Sequence, residues 1–201
     1  MSQKDDGGIP AEVKTVGLEK WFSGLSDQDK IRLGRYLPNA KGTSGMEFLM
    51  SIIKASLADE NYSFAIMLCQ DAYDLEMTDV QAFLVNEDLI DAYIGAERYD
   101  DAKAACAANI KLFPTISEEY IKMNGGELPT KINFRNRFID ILVGIESDYD
   151  TAYEMLDTYF RMGLLSEEDL KLRKQSLKIH RLQRSFDGIY TYRPAGGSLK
   201  N

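Results

Sequence analysis

Any chemistry in this chain has to come from few residue types. Its 201 residues include two cysteines, Cys69 and Cys106, one histidine, His180, and one tryptophan, Trp21. Zinc, haem and Cys–His nucleophile sites draw several side chains from that set, and the supply is too short for them. The phosphate-cradling GxxxxGK[ST] and GxGxxG loops are absent, as are HExxH, CxxC and the GxSxG nucleophile turn. The cysteines stand 37 residues apart on apolar helical faces, which points to structural burial in a reducing compartment. Asn61-Tyr62-Ser63 has the form of a glycosylation sequon, but Asn61 is also placed to cap a helix. His180 lies in a basic segment without an evident carboxylate or nucleophile beside it, so a packing or surface role is expected. Carboxylates are the one abundant reactive group, 32 in all, and a dyad formed across helices would make a hydrolase. No catalytic residue, metal or cofactor is expected from these patterns.

The segments that would carry these residues have helical period almost throughout. Hydrophobic residues make up 44% of the chain and charged ones 28%, enough for a sizeable core within one domain over 12–193. Polar tails are expected at 1–11 and 194–201. No apolar run reaches the roughly 18 residues of a membrane-spanning helix, and the N-terminus lacks a secretory apolar stretch. The expectation is a soluble, cytoplasmic, all-α protein with no membrane partner. One broad apolar face joins Val13 to Phe22; Ser26 caps a helix that Pro38 stops; Ser44 caps Gly45 to Ala58; Asn61 opens the next. Thr78-Asp79 begins a helix to Gly95, and Tyr99 begins one expected to end at Pro114. A short helix is expected over Ser117 to Met123. Lys131 to Ile145 and Tyr149 to Met162 form a further pair, and Ser166 with Asp169 opens a last helix to Phe186. Only Gly188 to Tyr192 hints at a strand.

An internal repeat organises these helices. Glu60-Asn61-Tyr62-Ser63-Phe64-Ala65 aligns with Glu97-Arg98-Tyr99-Asp100-Asp101-Ala102 and with Ser147-Asp148-Tyr149-Asp150-Thr151-Ala152. Each reads polar, polar, Tyr, two variable residues, Ala, and four residues later comes Cys69, Cys106 or Leu156. The small Ala lets paired helices approach, and the Tyr fills the gap at the turn. The pattern resembles the tetratricopeptide (TPR) repeat. In the middle unit Leu89, Tyr93, Ala102, Cys106 and Pro114 match it, while Asn86 and Ile90 depart from it. The first unit offers Leu49, Ile52, Ala65 and Cys69, with Ser56 for the Tyr; the third offers Ile139, Val143, Ala152 and Leu156. The resemblance covers Met46 to Met162 and implies a right-handed stack of antiparallel hairpins at about 45–77, 78–114 and 132–163. Residues 115–131 then form an insertion, and the N-terminal helices and the basic helix 166–186 cap the ends.

It also implies a function: a non-catalytic scaffold binding an unidentified protein or peptide along the first helices of the hairpins. That face would present Glu47, Met50 and Lys54, then Glu87, Asp91 and Ile94, then Phe134, Arg137 and Ile141. Glu87 and Asp91 have the wrong sign for the Lys/Asn/Arg clamp with which chaperone-binding TPR proteins hold a terminal carboxylate, so a ligand with some positive charge is expected instead. A second candidate surface is Arg173, Lys174, Lys178 and Arg181. The net charge of −8 divides into +4 over Ser166 to Asn201 and −12 over the rest. Three alternatives stand beside the scaffold: nucleic-acid or regulatory binding by the cationic last helix, self-association, and the carboxylate hydrolase.

Overall fold

The computed structural model describes residues 8–191, with side chains followed as far as Ser185. Most of both expected tails and Tyr192 therefore lie outside the described residues, although Ala11 already begins a helix. Among the described residues every regular element is helical. The chain divides into two compact units, Met1–Phe138 and Ile139–Asn201.

The first unit holds α1 (Ala11–Thr15), α2 (Glu19–Gly24), α3 (Asp27–Tyr36), α4 (Gly45–Ala58), α5 (Tyr62–Ala72), α6 (Asp79–Gly95) and α7 (Tyr99–Met123), and α8 (Asn133–Asp140) starts within it. The expected single face from Val13 to Phe22 is broken at Gly17, whose φ of +74° suits a residue without Cβ. Val13, Leu18 and Phe22 are buried from both pieces all the same. Caps fall where short polar side chains sit three residues before a free N–H. Ser26 accepts from Asp29, Ser44 from Glu47, and Thr78 closes a reciprocal capping box with Gln81. Asn61 does not cap: its Nδ2 donates to the Tyr36 hydroxyl at 3.2 Å, so tertiary geometry takes the side chain from its helix.

The largest departure is at Pro114. Helix α7 does not stop there but runs on to Met123, absorbing the first half of the expected insertion. The apolar spacing explains why: Cys106, Asn109, Phe113, Ile116 and Tyr120 keep helical period straight across the proline, and all are buried. Phe83 of α6 meets Tyr120 at 4.9 Å and Phe134 at 5.7 Å between ring centroids, and Phe113 lies 6.0 Å away. Burying that aromatic cluster outweighs the roughly 3 kcal/mol that an internal proline costs.

Helices α4 to α7 pack in chain order, and α4 also touches α6. The turns joining α4 to α5 and α6 to α7 are alike. Glu60 and Glu97 both sit at φ +57°, and the residue after each donates back five positions, Asn61 to Ser56 O and Arg98 to Tyr93 O, both at 2.8 Å. Ala65 and Ala102 behind these turns are wholly buried, as are Cys69 and Cys106. Gly95 at the end of α6 meets the Tyr62 ring so closely that an added Cβ would lie 2.2 Å from it.

The second unit contains a π-helical turn, Ile141–Glu146, then α9 (Tyr149–Arg161) and α10 (Glu167–Thr191). Its turn repeats the motif with Ser147 at φ +59°, but Asp148 N reaches back six residues to Leu142 O at 2.7 Å. The wider π turn accommodates the additional residue. Helix α10 packs on α9 and continues through Gly188, so the strand hint is not realised over 188–191.

Candidate functional site

The expected concave face turns out to be two different environments. On α4, Glu47 folds back, accepting from the Thr43 N–H at 2.8 Å and the Thr43 hydroxyl at 2.9 Å, which hold its carboxyl below the usual range. Met50 and Ile94 are half-buried, and Lys54 is exposed. Glu87 and Phe134, however, present no surface to a partner: Phe134 is wholly buried and Glu87 nearly so. The physical reason is long-range. Glu87 on α6 receives the free N–H groups that open α8, from Asn133 at 2.5 Å and Phe134 at 3.0 Å, plus Asn109 Nδ2 at 2.9 Å. A carboxylate 46 residues upstream thus caps α8. Burial pushes the Glu87 carboxyl up, and these three donors oppose the shift.

Asp91, one turn on, accepts from Asn133 Nδ2 at 2.8 Å and from Arg137 Nε at 3.0 Å, with Lys131 Nζ 3.9 Å away. The charges expected to meet a ligand meet one another. Asp88 lies between these two residues on the same helix, and its Oδ2 is buried without a hydrogen-bond partner. Burial raises its carboxyl to about 7, against the pull of Lys54 and with the push of Asp91 and Glu87. Cys69 and Cys106 are free and buried, and burial pushes both thiols far up, so neither is an activated nucleophile.

The second candidate surface is likewise partly occupied. Lys174 Nζ pairs with Asp157 at 2.5 Å, and Arg181 with Asp150 at 2.8 Å while standing over the Tyr149 ring. Arg173 lines a hollow of about 450 Å³ with Leu177 and His180, whose Nδ1 lies 2.9 Å from the Tyr149 hydroxyl. Lys178 is exposed.

Neither surface contains a further, carboxylate-lined concavity of the first unit. That is a cleft of about 660 Å³ between α2, α3 and the end of α5. Trp21 forms part of its wall, and Nε1 donates to Asp71 Oδ2 at 2.9 Å. Asp29 and Asp74 line the same cleft with Met67, Leu25 and Leu75. Partial burial raises the Asp71 carboxyl; the indole bond lowers it, and repulsion from Asp74 and Asp29 raises it further. Lys20 lines the cleft too, though no bond or ion pair joins it to these carboxylates. Met67, Asp71 and Asp74 recur at i, i+4 and i+7, a shared face that the sequence does display. Their meeting with a tryptophan 50 residues away is what it does not.

Among the described residues no three His, Cys, Asp or Glu side chains gather as a metal site, and no helix is long and apolar enough to cross a membrane. Comparison with protein-family models, with curated proteins and with solved structures finds no match for this chain.

Proposed function

We propose that the chain is a non-catalytic, TPR-like helical scaffold whose first unit binds a peptide or protein segment through the Trp21 cleft, taking a cationic side chain there. One observation carries the scaffold reading. The α4–α5 and α6–α7 turns repeat the same left-handed glutamate, the same five-residue back-bond and the same buried Ala and Cys behind them. Stacked hairpins of that kind offer a preformed surface, so a ligand orders little backbone on binding. On this reading α1 to α3 cap the stack and supply Trp21 to its end.

The ligand's charge follows from the carboxylates of the cleft, of which Asp29 already pairs with Arg32 at 3.2 Å while Asp71 and Asp74 have no ion pair among the described residues. Asp71 has one donor and two like-charged neighbours, Asp29 and Asp74, while Met67, Leu25 and Leu75 suit an aliphatic stem. A lysine or arginine would place its stem on that apolar wall and its charge among the carboxylates, with the indole adding about 1 kcal/mol of cation–π attraction. Trp21 is the only tryptophan, so intrinsic fluorescence reports on this cleft alone. Titration with a panel of twelve-residue peptides should give a saturable Trp21 signal with Lys/Arg-containing members. The signal should vanish when Asp71 and Asp74 are both changed to Asn. Equal response to acidic and basic peptides, or none to any, rejects this site.

A further inference from the structure

We propose that the outward face of α10 is a docking seam for an acidic amphipathic helix of another protein. The proposal is independent of the Trp21 cleft. Helix α10 spends one face on its own unit: Leu177 is buried, and Lys174 and Arg181 turn to Asp157 and Asp150 on α9. The opposite face carries Leu172, Ile179 and Leu182, 57%, 56% and 51% exposed. Their spacings of seven and three are those of successive a, a and d positions in a heptad, with Gln175 at the intervening d. A seam of that width fits another helix. A lipid surface calls for a broader apolar face, and Gln175 interrupts this one.

Charge selects the helix. In this register Lys171 and Lys178 occupy successive g positions and are exposed, while Ser176 and Gln183 occupy e. A second copy lying parallel would set each lysine against Ser176 or Gln183, and an antiparallel one would set lysine against lysine. Neither arrangement supplies an opposite charge. A partner with Asp or Glu beside its own apolar a/d positions supplies two, so the occupant is an acidic helix rather than a copy of this chain.

The test uses the full chain and a fluorescently labelled four-heptad peptide with Leu and Ile at a and d and Glu at e and g, followed by anisotropy. Saturable binding is expected, weakening at least fivefold between about 50 mM and 500 mM salt as exposed pairs are screened. Ile179→Glu should weaken it at least tenfold. The double variant Lys171→Glu/Lys178→Glu should weaken it at least fivefold and instead bind a peptide with Lys at e and g. All three positions are exposed, so thermal melts should be unchanged; a folded Ile179→Glu variant that binds normally overturns the proposal. Absence of saturable binding overturns it too. So does dimerisation of the chain alone that Ile179→Glu abolishes, or preferential capture of phosphatidylserine vesicles or a single-stranded RNA through the same residues. Trp21 fluorescence should stay unchanged throughout, which keeps this result separable from any result at the cleft.

Discussion

Glu87 and Asp71 are both carboxylates raised by burial on helices of the first unit, yet their surroundings differ in kind. Glu87 meets three donors, two of them the free N–H groups of α8, and is almost wholly buried. Asp71 meets one indole N–H, faces two other carboxylates, and borders an open cleft. The contrast separates two uses of the same group. A carboxylate saturated by its own chain fixes the position of an element, here the start of α8. One left short of donors and beside like charge retains attraction for a further cation, since Arg32 pairs with Asp29 and Lys20 lines the cleft without an ion pair among the described residues.

The contrast breaks most sharply at Glu87. Truncation to Ala leaves Asn133 N and Phe134 N without an acceptor, leaves Asn109 Nδ2 only the Phe83 carbonyl, and opens a hole beside the aromatic cluster. A loss of about 3 kcal/mol is expected in urea unfolding followed by Trp21 fluorescence. A loss below about 1 kcal/mol would mean that water or a rearranged Asn109 replaces the carboxylate, and the saturation argument would fall.

Asp88 tests the comparison from within α6, because it is partly buried beside Glu87 but has an unpartnered oxygen. Its folded pKa of about 7 stands above its ordinary value of 3.8. The folded state therefore holds the proton longer than the unfolded state does, and stability falls as pH rises from about 4 to about 7. Lys54 draws the other way, while Glu87, Asp91 and Cys69 lie on the same electrostatic neighbourhood. Asp88→Asn should change stability little at pH 4 and raise it by about 1–2 kcal/mol at pH 8. Thermal melts at the two pH values would show it; a parallel shift at both would assign the effect to packing alone.

The repeated turns provide a carboxylate residue whose cost is in the backbone, with no part in either site. Glu97 is exposed and holds φ +57°, a conformation that disfavours a side chain. Glu97→Gly should stabilise the first unit by about 0.5–1 kcal/mol, and Glu60→Gly similarly, read from chemical denaturation midpoints. A destabilisation at either position would show that the glutamate side chain contributes to its turn.

Local rules read well from this sequence and distant ones did not. Ser26, Ser44 and Thr78 cap because their partners lie three residues away, within the reach of any local pattern. The Tyr-x-x-Ala register located three turns that share a left-handed residue, since buried small side chains recur at fixed spacing. At Pro114 a local stop signal competed with continued apolar period, and burial of Phe113, Ile116 and Tyr120 decided it. Glu87 with Asn133, and Trp21 with Asp71, are separated by 46 and 50 residues. Nothing in either local segment marks such a pair. The expected binding face failed at Glu87 and Phe134 for that reason: the residues were assigned to the right helices, but α8 uses them for its own start.

The smallest expected change in stability belongs to the cleft proposed to bind. Asp71→Asn keeps the acceptor for Trp21 and removes one of three mutually repelling charges, so stability should move by no more than about 0.5 kcal/mol, upward if at all. The sign follows from the raised carboxyl: the folded state disfavours the Asp71 anion, and stability tied to it declines as pH climbs past the ordinary carboxylate range. Binding should respond oppositely, with affinity for a Lys-containing peptide falling severalfold because the anion that costs the free fold is what attracts the ligand. Denaturation and Trp21 titration on the same variant therefore have to disagree in sign. If Asp71→Asn weakened both, the residue would be a structural acceptor like Glu87, and the difference between the two carboxylates would be one of exposure only.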